Sequence, residues 1–244
     1  MRRILAIALP AALAPAPAIA QEMIGLEASV LADYRERGLS WSDGKAAARV
    51  RVDVPLPGTG FTAAAQAAST RGSERHGGAE AAVDLSVAFR HEAGLTRLHG
   101  GAIARLFPGG AGKQDYVEFD LGAGLALGPV DLAVLGSYAP SQRAIGGSNL
   151  YGKASARLAL IGTPVTLTGH LGHASGHVDD AMRAGRLRPA GDYVDWSLGA
   201  DYAMGRLVLS LTYSDTDIRR RDIRFPGSAG HHGARVVLGA HLVL

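Results

Sequence analysis

Between Tyr193 and Asp217 the chain reads YVDWSLGADYAMGRLVLSLTYSDTD, in which every second residue is apolar although no window is apolar throughout. Val194, Trp196, Leu198, Ala200, Tyr202 and Met204 fall on one side of an extended segment, and Tyr193, Asp195, Ser197, Gly199 and Asp201 on the other. A period of two marks a β-strand whose two faces meet different surroundings. The pattern repeats in the next residues, with Leu207, Leu209, Leu211 and Tyr213 opposed to Arg206, Val208, Ser210 and Thr212. It recurs from Tyr116 to Leu127, where Val117, Phe119, Leu121, Ala123, Leu125 and Leu127 share a face, and again in the closing stretch from Arg235.

Applied along the chain, the alternation predicts twelve strands near 24–35, 44–54, 59–69, 79–91, 94–107, 114–127, 129–139, 148–160, 163–174, 191–203, 205–215 and 233–244. Most have about the ten residues that a tilted strand needs to cross a bilayer. Tight connections at 55–58, 92–94, 128–129, 161–164 and 204–205 alternate with longer polar ones at 36–44, 70–78, 108–114, 140–148, 175–191 and 216–232. Short turns at one end and long loops at the other are the pattern of bacterial outer-membrane barrels. Tyr34, Tyr138, Trp196 and Tyr213 are placed on the apolar face near the long-loop end, and Phe61, Phe89 and Tyr202 near the short-turn end, as interfacial girdles would be. The expected fold is all-β, a transmembrane antiparallel up-and-down barrel of about twelve strands, with lipid outside and a polar lumen inside.

Composition narrows the alternatives. Cysteine is absent from the 244 residues, which excludes an exported domain held by disulfides. Arg2 and Arg3, the apolar run Ile4 to Leu13 and the small residues Ala18-Ile19-Ala20 read as a secretory signal at 1–20, leaving 21–244 as the barrel domain. Removing Arg2 and Arg3 lowers the formal charge from +3 to +1, so nothing marks a nucleic-acid binder. After Gln21 no stretch supplies the roughly 20 apolar residues of a spanning helix. A membrane-embedded chain of this kind must therefore close into a barrel, since an open sheet edge would leave backbone groups unpaired in lipid.

The charges follow the alternation. Arg49, Arg51, Asp53, Arg97, Arg105, Glu118, Asp120, Lys153, Arg157, Asp195, Asp201 and Arg235 all fall on the polar face and are the candidate pore-lining residues, with Glu27, Asp33, Asp84, Asp131 and Arg206 beside them. An Arg or Lys facing lipid at mid-bilayer costs about 2–4 kcal/mol, so this inward placement is meaningful. Charged rings bias ion passage through a wet pore. The alternative is that opposing arginines and carboxylates pair and fill the lumen, since twelve strands lie between small filled barrels and wide porins.

Other chemistry is weaker. His170, His173, His177, Asp179 and Asp180 suggest a metal, but His170 and His173 point to opposite faces of a strand, and zinc needs converging ligands. His177 and the pair His231-His232 read as water-facing loop histidines. His91, His99, His173, Ser137 and Ser214 can be nominated for a rim hydrolase, though no spacing selects them. GGAGKQ at 109–114 lacks the Ser or Thr and the helix of a phosphate loop. Arg183, Arg186 and Arg188, and the four arginines of TDIRRRDIR, read as solvated loop residues, with lipopolysaccharide phosphate as the alternative ligand. No catalytic residue, cofactor or metal is assigned.

LADYRERGLSWSDGKAAARVRVDV, Leu31 to Val54, resembles the N-terminal signature of the TorF-like porin family of proteobacterial outer-membrane proteins. Its Asp-Tyr-x-x-Arg-Gly-x-Ser-x-x-Asp-Gly pattern is met by Asp33, Tyr34, Arg37, Gly38, Ser40, Asp43 and Gly44. The stretch from Asp192 to Asp217 and the closing ARVVLGAHLVL are also similar to that family, although barrels of this kind usually end in an aromatic residue and this chain ends in Leu244. The resemblance implies an outer-membrane barrel with a transport role and supplies no substrate. The resulting expectation is a monomeric porin-like channel for passive diffusion of small polar solutes or ions, not an enzyme, surrounded by outer-membrane lipid and lipopolysaccharide. The alternatives are a non-conducting structural or surface-binding barrel and, further off, a barrel hydrolase.

Overall fold

The computed structural model describes residues 24–223 and 231–244, so the signal peptide expected at 1–20 lies outside the described residues. In chain order the strands are β1 (Gly25–Leu31), β2 (Arg35–Glu36), β3 (Leu39–Ser40), β4 (Ala47–Leu56), β5 (Phe61–Ser73), β6 (Ala79–Ala93), β7 (Thr96–Leu106), β8 (Tyr116–Leu127), β9 (Val130–Gln142), β10 (Gly147–Ala159), β11 (Val165–Ser175), β12 (Tyr193–Met204), β13 (Leu207–Thr216) and β14 (Arg235–Val243). Twelve of them close into one antiparallel barrel in sequence order, and β2 and β3 form a separate small hairpin. Closure runs through β14 against β1, from Glu27 opposite Val243 to Leu31 opposite Gly239. All twelve expected strands are present.

The turn chemistry explains the short end. Gly94, Gly128 and Gly205 each open a two-residue turn with a positive φ of 60–62°. Glycine at the first central position is what a type II′ turn requires, and that turn's twist matches the flanking strands.

The outward face of the closed sheet is apolar. Leu121, Leu198 and Leu238 are 74%, 67% and 61% exposed, and Phe119, Val134, Leu171 and Val236 are exposed with them. Exposed apolar patches on water-soluble monomers stay within a few hundred Å². A belt circling the whole barrel meets that limit only in lipid, and closure leaves no strand edge unpaired there. Tyr138 and Tyr213 stand outward near the long-loop end, and Phe61, Phe89 and Tyr202 near the short-turn end, as expected. Trp196 shares their outward face but is half-buried.

Tyr34 departs from the expected girdle. β1 stops at Leu31, and Tyr34 turns into the barrel, where it is 2% exposed and packs edge-on against Trp41. The apolar interior is correspondingly concentrated at the long-loop end. One cluster gathers Tyr34, Trp41, Phe107, Tyr116, Ile145 and Leu187, and a second gathers Leu39, Tyr151, Tyr193 and Ile218.

Candidate functional site

The connection from β1 to β4 folds into the mouth of the barrel, and its hairpin is held by residues between Asp33 and Gly44 and by their contacts with the wall. Asp33 is buried and accepts hydrogen bonds from Ser40 Oγ at 2.5 Å and from the Arg35 guanidinium at 3.3 Å. The Tyr34 amide donates to Ser42 Oγ at 2.9 Å, and the Trp41 amide donates to the Tyr34 carbonyl at 2.7 Å. β2 and β3 are joined by Arg37 and Gly38, both at positive φ (52° and 75°), the signature of a type I′ turn. Arginine is rarely held there, and such a conformation persists when its surroundings over-determine it. Here the Arg37 guanidinium donates to Glu118 at 2.6 Å and lies 4.5 Å from the centre of the Tyr151 ring, while Tyr193 Oη donates to the Arg37 carbonyl at 2.9 Å. A Cβ on Gly38 would come within 2.5 Å of Thr216 Cγ2 and 2.8 Å of Asp195 Cβ, so the turn tip is pressed against the barrel wall.

The ion pair continues across the lumen. Glu118, fully buried, also accepts from Arg105 Nε at 3.2 Å, and Arg105 reaches Asp84 at 3.0 Å and stands over the Trp41 ring at 5.4 Å. Charged groups out of water are tolerated when paired and hydrogen-bonded in this way. The hairpin is thus anchored by polar contacts with the wall.

Four further loops lock it from above. Arg75, in the 74–78 loop, donates to the Ser40 carbonyl at 3.2 Å and to the Arg186 carbonyl at 2.7 Å. Arg186 returns a bond to the Arg75 carbonyl at 3.0 Å and takes the Gln114 and Ala144 carbonyls at 2.9 and 2.8 Å. His76 lies between Trp41 and Phe107, 4.5 Å from each ring centre. Burial, with the Arg186, Arg75 and Arg105 cations behind it, holds the His76 imidazole well below its ordinary pKa, so it is neutral. Burial brings Arg75 and Arg186 down to about 10, which leaves both charged at neutral pH.

Below the hairpin, two cavities open in the lumen among the described residues. The larger, about 480 Å³, is lined by Glu27, Arg49, Arg157, His170, Ser197, Asp201 and His241 among others, with Arg35, Arg37 and Gly38 as part of its wall. The smaller, about 330 Å³, lies among the inward faces of β6 to β10 and includes Arg90, Glu92, Arg97, His99 and Lys153. Two histidines on the first cavity are tightly held. His170 Nε2 is 2.7 Å from Asp195, and His170 Nδ1 is 2.6 Å from Ser197 Oγ. His241 lies 3.0 Å from Ser210 Oγ and 3.3 Å from Glu27.

The candidate pore-lining residues separate into groups. Arg105, Glu118 and Asp195 belong to the hairpin's socket, and Asp195 is fully buried. Arg49 pairs with Glu27, Arg51 with Asp53 at 2.7 Å, Arg97 with Asp131 and Arg157 with Asp201 at 3.5 Å. Lys153 faces the smaller cavity, and Asp120 is a half-buried inward residue of β8. Arg235 sits at the long-loop rim, where it donates to the Gly44 carbonyl at 3.1 Å. Paired charges thus coexist with open volume in the lumen.

Several loop expectations are corrected. Arg186 and Arg188 are 3% and 4% exposed, and their donors go to backbone carbonyls and, for Arg188, also to Asp192, so they are neither solvated nor free for lipopolysaccharide. Asp33 leaves the strand and caps the hairpin. His232 is buried, and His231 lies 3.2 Å from Asp43 rather than facing only water. Of the rim-hydrolase nominees, His91 stacks beside Phe89, Ser137 and Ser214 are buried, and His173 lies on the face opposite His170. Among the described residues, no group of three or more potential ligands converges on a metal site. The 107–115 loop leads into β8, with no helix after Lys113. Of the arginines in TDIRRRDIR, Arg220 and Arg221 are exposed, and Arg224 lies outside the described residues.

A closed antiparallel barrel with a lipid-facing apolar belt and a charged lumen narrowed by inward loops defines the class of transmembrane β-barrels of the outer-membrane type. The chain belongs to the family described as bacterial protein of unknown function (Gcw_chp), whose model matches residues 17–233. Among solved structures it is similar to a KdgM porin at 6% identity, covering 90% of this chain and 97% of that one, with a TM-score of 0.54. It is also similar to the COG4313 outer membrane channel from Pseudomonas putida F1 at 12% identity, over 90% and 93% of the two chains, with a TM-score of 0.53. At these identities the likeness is one of fold. No curated protein matches the chain.

Proposed function

We propose that the protein is an outer-membrane channel for passive diffusion of small polar solutes or ions, with the β2–β3 hairpin as its constriction, and that it is a TorF-like porin. The observation that carries this reading is the polar construction of the lumen. Cavities of about 480 and 330 Å³ lie under a hairpin tied to the wall by ion pairs and hydrogen bonds, contacts that water can replace. A barrel serving only as a scaffold would gain more from an apolar filling, since buried ion pairs contribute little net stability. Diffusion through such a lumen consumes no cofactor and needs no turnover. The protein acts as a monomer surrounded by outer-membrane lipid, with lipopolysaccharide in the outer leaflet. The test is single-channel recording of the refolded chain, residues 21–244, in a planar bilayer. Discrete steps are expected, and a folded, inserted barrel that passes no current overturns the proposal.

One observation favours a second reading. Ser197, His170 and Asp195 stand in the order of a nucleophile, base and orienting carboxylate, at 2.6 and 2.7 Å. A hydrolase would label at Ser197 with a fluorophosphonate, and Ser197→Ala would abolish the label. A channel gives no label at this serine.

A further inference from the structure

The two lumen cavities differ in how their charges are balanced. On the larger, each lining arginine has a carboxylate partner: Arg35 with Asp33, Arg37 with Glu118, Arg49 with Glu27 and Arg157 with Asp201. On the smaller, Arg97 is committed to Asp131, but Arg90 and Lys153 have no ion pair among the described residues, and Glu92 is the single carboxylate of the lining. The local balance, Arg90 and Lys153 against Glu92, is one positive charge in excess.

The wall between Arg90 and Lys153 carries small residues. Gly122, Gly124 and Ala133 face inward there, with Leu135 and Ser155 beside them. A Cβ on Gly122 would come within 3.1 Å of His99 Nδ1, and one on Gly124 within 3.5 Å of the Arg97 guanidinium, so these basic groups lie flat over glycine backbone. The volume of about 330 Å³ equals the share of roughly eleven liquid waters, at about 30 Å³ each. That space admits a small organic molecule.

We infer that this cavity is a binding site for small organic carboxylates, with Arg90 and Lys153 as the groups that recognise the anion and Ala133 and Leu135 beside the carbon skeleton. Arginine offers the carboxylate a bidentate fork and lysine a point charge. A site on the conduction path must bind well enough to attract the solute and weakly enough to release it, which suits two partly hydrated cations better than a buried pair. The inference deepens the channel reading by naming its solute class, and as a route for solute it rests on that reading.

The test uses the full barrel refolded in detergent, with gluconate as the anion and sorbitol as a neutral molecule of similar size. Saturation-transfer NMR titration is expected to show gluconate binding in the millimolar range and none for sorbitol. Arg90→Gln together with Lys153→Gln should weaken gluconate at least tenfold, whereas Arg157→Gln, in the larger cavity, should leave it unchanged. Equal response to gluconate and sorbitol, or unaltered affinity in the double variant, overturns the assignment. Lys153→Gln alone provides a milder variant should the double one fold poorly, and a threefold loss is expected from it. Reversal potentials in a potassium chloride gradient then separate the two ideas. Gluconate binding in a barrel that passes no current keeps the site and removes the channel. A conducting barrel that ignores gluconate keeps the channel and removes the site.

Discussion

Replacing Arg37 by Asn tests whether the hairpin is the constriction. Asparagine tolerates the positive φ of 52° better than most side chains, so the turn survives and the change reports on the guanidinium. The variant loses the 2.6 Å ion pair to Glu118 and the contact with the Tyr151 ring. Removing one partner of a buried pair costs about 3–5 kcal/mol because the other charge is stranded. Glu118 still has Arg105 at 3.2 Å, which places the loss at the low end, about 3 kcal/mol. That energy shifts the ratio of undocked to docked hairpin by about 150-fold, at 1.4 kcal/mol per tenfold. In single-channel recordings the fraction of time in the larger conductance should therefore rise by about two orders of magnitude, or saturate, and trypsin should cut at Arg35 in vesicles where the wild type resists. Lys45→Ala is the control, since its pair with Asp43 is mostly exposed and contributes at most about 1 kcal/mol. If Arg37→Asn folds, inserts and conducts as the wild type does, the hairpin is not the constriction and the ion-pair reasoning fails.

Acid should loosen the same assembly. His76 is held neutral in the folded state while its unfolded pKa is near 6.5, so below about pH 6.5 the unfolded or undocked state takes up a proton that the docked state refuses. Stability is thus retained above that pH and falls as pH drops through it, and trypsin sensitivity of the loops should rise between pH 6.5 and 5. His76→Phe, which keeps the stacking on Trp41 and Phe107, should remove that pH dependence, and a persistent dependence would point to another group. Gly38→Ala should undock the hairpin because its Cβ meets Thr216 and Asp195 and its φ is +75°; single-channel recordings should show a conductance change like that of Arg37→Asn. On the outer wall, Leu121→Arg should destabilise the barrel by about 2–4 kcal/mol in urea titrations from lipid vesicles. Val208→Arg, facing the larger cavity, should cost less than half as much, and equal costs would contradict the assignment of faces.

The barrel was legible because its two solvents impose a period of two on the chain. Leu121 and Glu118 sit three positions apart on opposite faces, one 74% exposed to lipid and the other fully buried, and alternation alone separates them. Turn lengths supplied the second constraint, since Gly94, Gly128 and Gly205 mark the tight end. Neither signal reaches the loops. The docked hairpin depends on contacts between residues far apart in sequence, such as Arg37 with Glu118 and Arg75 with Arg186, and no local period encodes them. Burial of Arg186 and Arg188 was invisible for the same reason, because an arginine in a polar loop looks solvated until backbone carbonyls converge on it. Tyr34 was misplaced because alternation was extended four residues past the end of β1, where Ser42 takes the Tyr34 amide.

A local sign of the hairpin was nevertheless present. Arg37-Gly38 and Asp43-Gly44 are both pairs in which each residue adopts positive φ, and a polar residue followed by glycine is the composition that tight turns demand. Two such pairs six residues apart in one loop, with Asp33, Ser40 and Ser42 available as caps, are unneeded in a loop that merely spans two strands in water. The Asp-Tyr-x-x-Arg-Gly-x-Ser-x-x-Asp-Gly pattern is therefore better understood as the specification of a folded insert than of a strand, and its side chains are those that place a cation opposite Glu118. On the channel proposal, the pattern sets the width of the lumen and not the stability of the wall, which β1 and β4 secure through their own register.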